Sequence, residues 1–407
     1  MTVGSELIAQ TPRAVTWEDY HPELKAIFDQ PKTPWPCESI VTELTAHQPP
    51  LVLHRGEIFA QPGPFILHST DGGRTWGKLC DVPIEAAAPE GFKMMSVASD
   101  ALGVTIGGTL LFHYTAMYND GRRYEAWRDP TLHMDAYVVR STNRGKTWSK
   151  PIRIDPTPHN CAGSDRNRMI LLPSGEMALV ISTQTQARPD KPQPIENWWF
   201  EAGMFVSGDD GLTWRWRGSL GRYTCEADVL PLPSGRLLAV ARYQRVKMPS
   251  DPAALIDPET KHGEVGGHSV LKQTMLLHSD DGGRTWSEPR LLTGWLQQTA
   301  CLVRLSNGTI VAPFGHKTGN FGQRFLVSYD EGRTWTRRVY ELHHGGLFAS
   351  SVALEDDTIV TGHDNRKNPK GARFGALRWK APTRAEAAPG GFFEPFPLHD
   401  DLRGPAV

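Results

Sequence analysis

The sequence predicts an all-β chain folded as a six-bladed β-propeller, and three observations predict it. One octamer pattern, S-x-[D/N]-x-G-x-T-W, occurs five times: STDGGRTW at 69–76, STNRGKTW at 141–148, SGDDGLTW at 207–214, SDDGGRTW at 279–286 and SYDEGRTW at 328–335. Start-to-start spacings of 72, 66, 72 and 49 residues mark an array of repeated supersecondary units. Each copy also follows a short β-type run, at 64–68, 136–140, 202–206, 273–278 and 324–327. Finally, 39 Gly and 32 Pro provide for the many turns of an all-β chain.

Taken in order, each element has a local reason. The Ser, Asp and Gly of the octamer suit a tight turn, because the carboxylate bonds nearby backbone N–H groups and Gly takes the positive φ. The Trp starts the return strand and buries its ring between units. Each octamer is thus a hairpin staple, and its Asp is fold glue rather than a catalyst. Inner hairpins are expected at 51–59, 104–113, 169–180, 229–240, 301–311 and 351–360, three of them with a Pro-Ser-Gly or Ser-Asn-Gly turn. That makes six units. The sixth lacks an octamer but ends in a plausible strand at 372–379. Residues 1–40 form a leading segment, part of which closes the ring against the last blade. The propeller spans 41–385 and a tail spans 386–407. A seven-bladed ring that takes strands from residues 10–40 is the alternative.

Composition narrows the function. A net charge of −1 argues against a general nucleic-acid or membrane-surface binder. No apolar run approaches the roughly 18 residues needed to span a bilayer, and the N-terminus lacks the pattern of a signal peptide. The five cysteines are odd in number and never at metal-ligand spacing, which favours reduced thiols and a cytoplasmic location. A trimmed mature form of a secreted protein would overturn that expectation. No metal cluster, phosphate-cradling loop or dinucleotide fingerprint is present, so no cofactor is expected.

In a ring of blades, ligand sites belong where the innermost strands start and converge. The residues bracketing the inner hairpins are polar: His47 and Gln48; Asp165, Arg166, Asn167 and Arg168; Glu226 and Asp228; Gln297 and Gln298; Ser350. At the far strand ends stand His113 and Tyr114, Arg242 and Tyr243, His316 and Lys317, and His363.

The octamer resembles the Asp-box, or BNR repeat, of sialidases, and the whole chain looks like the sialidase superfamily. That resemblance implies a propeller of the sialidase type that cleaves terminal sialic acids. It implies an arginine triad on the sugar carboxylate, a Tyr nucleophile paired with a Glu, and an Asp acid/base. The stretch 225–242 is similar to the family segment carrying the Glu and one triad Arg, which nominates Glu226 and Arg242. The stretch 312–324 is similar to the one carrying the next, which nominates Arg324. Guanidinium groups suit a carboxylate because they bind it in two-pronged fashion. Three family positions differ. Gln48 stands where the first triad Arg is expected, Phe348 aligns with the nucleophilic Tyr, and residues 60–63 leave no room for the loop of the acid/base Asp.

The leading expectation is a glycoside hydrolase that removes terminal acidic sugars from an oligosaccharide or glycoconjugate. Its substrate-binding candidates are Arg242, Arg324, Arg166, Arg168, Gln48 and Asp228. Its catalytic candidates are Glu226, His113, Tyr114, His316 and His363, the histidines because they titrate near neutrality. The runner-up is a lyase eliminating at a uronate, which needs only carboxylate neutralisation and a His or Tyr base. A non-catalytic acidic-glycan-binding propeller, with Trp127, Trp198 or Trp199 stacking on sugar rings, and a structural propeller are further alternatives. Insertions at 118–134 and 248–267 are long enough to shape specificity.

Overall fold

The computed structural model describes residues 14–45, 50–119, 133–163, 165, 167–185, 199–317, 321–344, 350–365 and 371–402. Six antiparallel sheets form the blades of the ring. Blade 1 runs Leu51–His54, Glu57–Gly63, Phe65–Ser69 and Gly77–Asp81. Blade 2 runs Lys93–Val104, Leu110–Asn119, His133–Ser141 and Ile152–Arg153. In blade 3, Cys161–Gly163 and Ile170–Leu171 both pair with Met177–Gln184, followed by Glu201–Ser207 and Arg215–Arg222. Blade 4 comprises Thr224–Pro231, Leu237–Val246, Ser269–Ser279 and Arg290–Leu291. In blade 5, Gln297–Gln298 and Val303–Arg304 pair with Ile310–His316, followed by Gly322–Ser328 and Tyr340–His344. Blade 6 has three strands of its own, Ser350–Ala353, Ile359–Asn365 and Arg373–Trp379; its fourth is Glu38–Thr45 from the N-terminal region. That antiparallel pairing of the first long strand with the last closes the ring and supplies blade 6 with its outermost strand.

The five octamers occupy equivalent turns, between the third and fourth strands of blades 1 to 5. In each Asp version the Ser hydroxyl donates to the carboxylate, the Thr hydroxyl and backbone N–H donate to the same carboxylate, and the Gly N–H closes on the Ser Oγ. Asn143 does the same work in blade 2, with its amide donating to Thr147. The Gly conformation is left-handed throughout, with φ from 80° to 87° at Gly73, Gly145, Gly211, Gly283 and Gly332. Each of these glycines also abuts the preceding blade. A Cβ there would come within 2.2 to 2.9 Å of Val360, Cys80, Leu111, Met204 and Leu238 respectively. The octamer is therefore both a hairpin staple and an inter-blade wedge. Trp76 makes the same crossing at the ring closure, its ring edge-on to Phe374 of blade 6 at 4.7 Å.

Apolar side chains interleave between neighbouring blades, and the largest cluster joins blades 3, 4 and 5. Two short N-terminal helices, α1 (Trp17–Tyr20) and α2 (Pro22–Asp29), bury Trp17, Leu24, Ile27 and Phe28 in that cluster. The insertion 248–267 is anchored beside them. Met248 and Leu255 are buried, and Val15 bridges to Leu255. Asp251 accepts two hydrogen bonds from the fully buried Arg245, at 2.6 and 2.9 Å. The C-terminal region adds Phe396–Pro397 to the edge of blade 4 and pairs Phe392–Phe393 with Trp335–Thr336. Residues 120–132 of the other insertion, Trp127 included, lie outside the described residues.

Candidate functional site

The inner strands of all six blades surround a central channel. Its lower mouth, at the strand ends, is a cavity of about 330 Å³ with Arg168 in its wall. Arg168 is partly buried, its side chain 16 % exposed, and spends its donors inside the protein. Nε and Nη2 reach the Asp228 carboxylate at 3.0 and 2.8 Å, Nη2 also reaches the Leu302 carbonyl at 2.6 Å, and Nη1 reaches the Ser351 carbonyl at 2.7 Å. Asp228 takes a further bond from the Leu302 N–H at 2.8 Å. This pair ties blades 3, 4, 5 and 6 together across the channel. All three guanidinium nitrogens are committed, so Arg168 and Asp228, nominated as sugar-binding residues, are placed as a channel cross-link instead.

At the upper mouth, where the inner strands start, the sequence does something unusual. Between the pairs Cys225↔Arg242 and Asp228↔Val240, blade 4's inner strand carries one more residue than its partner, a β-bulge. Glu226 sits in it with φ 46°, and Tyr223 just before has φ 64°. The facing segment from blade 5 repeats the pattern, with Leu296 at φ 55° and Thr299 at φ 57°. Bulky residues pay to adopt this left-handed conformation, and such strain gathers where a side chain must be aimed. Here it aims Glu226. Its Oε2 lies 2.8 Å from Arg242 Nη1 and accepts from the Thr299 hydroxyl at 2.5 Å. Arg242 Nε also points at Cys225 Sγ, 3.2 Å away.

Behind Glu226 lies Asp165. Its two carboxyl oxygens each accept from Ser182 Oγ at 2.9 Å. Burial and then the charge of Glu226 push its pKa up to about 7, against the hydrogen bonds from Ser182 and the Glu226 N–H and the charge of Arg242, which act the other way. Two carboxyl groups share one cation here. They cannot both ionise cheaply, so a proton is held near neutral pH. Glu226 is the more accessible partner, its side chain 13 % exposed, whereas Asp165 is 2 % exposed.

The second arginine stands on blade 5. Arg324 pairs in register with Glu341, and Nε lies 3.1 Å from Glu341 Oε2. Nη1 approaches Gln297 Oε1 at 3.4 Å. His316 Nε2 is 3.9 Å from the same Glu341 oxygen. The strained segment 296–299 thus lies between the two arginines, touching Arg324 through Gln297 and the Glu226–Arg242 pair through Thr299.

The structure therefore unites Glu226 with Arg242, and Arg324 with His316 through Glu341. It does not bring the remaining histidine and tyrosine candidates to the mouth. His113 is fully buried in the interblade core, without a hydrogen-bond partner among the described residues, and burial pushes its pKa down to about 3. It alternates with Leu111 on the face turned to blade 3, so a group chosen for its chemistry is in fact core. Tyr114 is buried on the opposite face, stacked on Tyr137 at 5.4 Å with its hydroxyl donating to the Glu85 carbonyl at 2.6 Å; burial pushes its pKa up to about 12. His363 is fully buried in blade 6 against Gly375. These three positions are corrections to the sequence reading, for the same reason: strand alternation turned them into the sheet interfaces. Gln48, Arg166, Phe348 and Trp198 lie outside the described residues. Residues the sequence reading did not nominate are Asp165, Thr299 and Glu341. Asp165 carried a signal, a carboxyl beside an inner hairpin; Thr299 and Glu341 become visible only once register is known. Among the described residues no group of His, Cys, Asp and Glu could hold a metal ion.

Comparison with known proteins agrees with this architecture. Residues 105–251 match the family model of the BNR repeat-like domain. A sialidase of Micromonospora viridifaciens is 26% identical over 361 residues, covering 83% of this chain and 49% of that protein. The chain folds as a β-propeller of the sialidase type and is similar to BNR-repeat proteins of the sialidase superfamily. Among solved structures, Trypanosoma rangeli sialidase in complex with sialic acid superposes with a TM-score of 0.55 at 15% identity, over 86% of this propeller and 60% of that chain. A Dyadobacter fermentans protein of unknown function superposes with a TM-score of 0.59 at 16% identity, over 84% of this chain and 97% of its own. The propeller spans about half the length of the curated relatives it matches.

Proposed function

We propose that this propeller is a sialidase-like glycoside hydrolase that removes a terminal acidic sugar, sialic acid or a close analogue, from a glycan. The observation that carries the reading is the upper mouth itself. Two guanidinium groups from adjacent blades flank one strained segment, and two carboxyl groups, Glu226 and Asp165, gather at one of them. Arg242 and Arg324 supply the fork geometry that a sugar carboxylate needs. Glu226 is the member of the carboxyl pair that meets solvent, so it is the carboxyl placed to face water or substrate. Asp165, whose pKa lies at about 7, stands behind Glu226 as a positioning residue. General acid–base catalysis works best when such a group titrates near the working pH.

The test is a paired turnover assay on purified protein, with Arg242→Ala as the control. One arm uses a fluorogenic sialoside. The other uses uronate-containing glycans, read by the ultraviolet absorbance of an unsaturated product. Sialoside turnover that disappears in the control supports the hydrolase. Unsaturated product in the second arm replaces it with a lyase, and binding of acidic glycans with no product in either arm replaces it with a lectin.

A further inference from the structure

The N-terminal segment is built into the mouth. Trp17, Leu24 and Ile27 are buried against blades 4 and 5, and the ring of Phe28 meets that of Phe314 edge-on at 6.3 Å. Gly294 permits this fit, since a Cβ there would stand 2.9 Å from the Phe28 Cβ. Between this segment and blade 5 opens a cavity of about 410 Å³, whose walls include Lys32, Arg324, Gln297 and Trp295. Lys32 is half-buried. Its ammonium donates to the carbonyls of Phe28 and Gln30 and makes no ion pair among the described residues. Arg324 spends Nε on Glu341, while Nη2 has no partner among the described residues. Lys32, without an ion pair among the described residues, and Arg324, with one guanidinium nitrogen left over from its pairing with Glu341, therefore face one cavity beside an indole ring.

We propose that Lys32 and Arg324 form a carboxylate subsite for the acidic sugar. The proposal rests on the reading of Arg324 as a sugar-carboxylate group. The electrostatics agree with it. Burial first, and then the charge of Arg324, pull the Lys32 pKa down to about 8, while Asp29 and Glu341 act the other way. Glu18, Lys25 and Asp29 are the other charged groups lining the cavity, and Lys25 is paired with Asp29 at 2.5 Å and with Glu18 at 3.9 Å. An ammonium poised to lose its proton just above neutrality is a pH-sensitive anion receptor. Arginine in its place would stay charged.

The test is calorimetric titration of the full chain with free N-acetylneuraminic acid and with its uncharged methyl ester, at pH 7.5 and pH 9.5. The acid should bind at pH 7.5 at least about tenfold more tightly than the ester, one tenfold step being about 1.4 kcal/mol. Raising the pH to 9.5 should weaken the acid about tenfold in the wild type. Lys32→Arg should lose several-fold less over the same interval, and Lys32→Gln should bind the acid about tenfold more weakly than the wild type at pH 7.5, with little further loss at pH 9.5. No acid binding by the wild type, equal pH responses of wild type and Lys32→Arg, or undiminished binding by Lys32→Gln each overturn the subsite. If Lys32→Gln fails to fold, the Lys32→Arg comparison decides alone. Sialoside turnover without dependence on Lys32 sinks the subsite and leaves the hydrolase. Lys32-dependent acid binding without turnover sinks the hydrolase and leaves the subsite.

Discussion

Asp281 and Asp165 are the same side chain put to opposite uses. Asp281, in the fourth Asp-box, accepts from the Thr285 hydroxyl and N–H, the Ser279 hydroxyl and the Arg284 N–H. Those donors, led by Thr285, hold its carboxyl well below the usual range. Asp165, at the channel mouth, has one Ser182 hydroxyl shared between its two oxygens and the Glu226 N–H, against deep burial and a second carboxylate close by, and its pKa rises to about 7. One is surrounded by donors and keeps its charge at any ordinary pH. The other is short of them and stores a proton. What separates glue from a reactive group is thus not residue type but the ratio of donors to competing charge.

The sharpest test of that contrast is Arg242→Ala. It removes the single cation shared by Asp165 and Glu226. Leaving buried carboxyls uncompensated costs about 3–5 kcal/mol, which denaturant titration near pH 8 will show. Sialoside turnover should fall about 100-fold or more, the scale seen when one preorganised charge-stabilising donor is removed. Unchanged stability at pH 8 would mean that the carboxyls are not coupled through this arginine.

Asp165→Asn comes next. In the folded protein Asp165 holds its proton to about pH 7, against a reference value of 3.8. The folded state therefore binds the proton more tightly than the unfolded chain. Its contribution is fully present below about pH 4 and is lost as pH rises through 7; the interval between the two values is worth roughly 4 kcal/mol. The variant should flatten stability between pH 4 and 7 and should displace the neutral limb of the pH–rate profile. A profile that keeps its limb near 7 would assign that titration to another group.

How much of this was legible in the chain follows from the range of each interaction. The staples close within eight residues, so the octamer alone discloses them. Glu226 and Arg242 lie on one hairpin, 16 residues apart in sequence, and the family-like stretch carries both. Asp165, Thr299 and Lys32 reach the mouth from blades 3 and 5 and from the N-terminal segment, and nothing local announces the meeting. His113, Tyr114 and His363 show the opposite error. Their chemistry suggested a site, but the period-two alternation of a strand packed on both faces sends every second residue into one sheet interface and the rest into the other. Arg168 and Asp228 sit at the channel as expected, yet bond to each other and to the inner strands of blades 5 and 6.

On the staple side, Asp281→Ala should cost about 1–3 kcal/mol by stranding the Thr285, Arg284 and Ser279 donors, with turnover per folded molecule unchanged. Because the folded Asp281 holds its proton less tightly than the unfolded chain, its stabilisation is present above about pH 4 and fades as pH falls further. The variant's deficit should shrink accordingly in acid. A deficit that persists unchanged at pH 3 would show that the staple works without the carboxylate charge.

The smallest effect separates the two roles of the Asp-box glycine. Gly211 and Gly175 share one backbone conformation, φ 83° and 84°, but a Cβ on Gly211 would sit 2.5 Å from Leu111 of the preceding blade, whereas a Cβ on Gly175 meets nothing within 4 Å. Gly175→Ala should therefore cost about 1 kcal/mol, the penalty of a left-handed Ala alone. Gly211→Ala adds the clash with a well-packed interblade side chain, typically about 1–3 kcal/mol more. Chemical denaturation of both variants measures the difference, and that difference isolates the wedge from the turn. Equal losses would mean that Leu111 yields freely, so that the octamer staples its own hairpin and leaves the spacing of the blades to the cores between them.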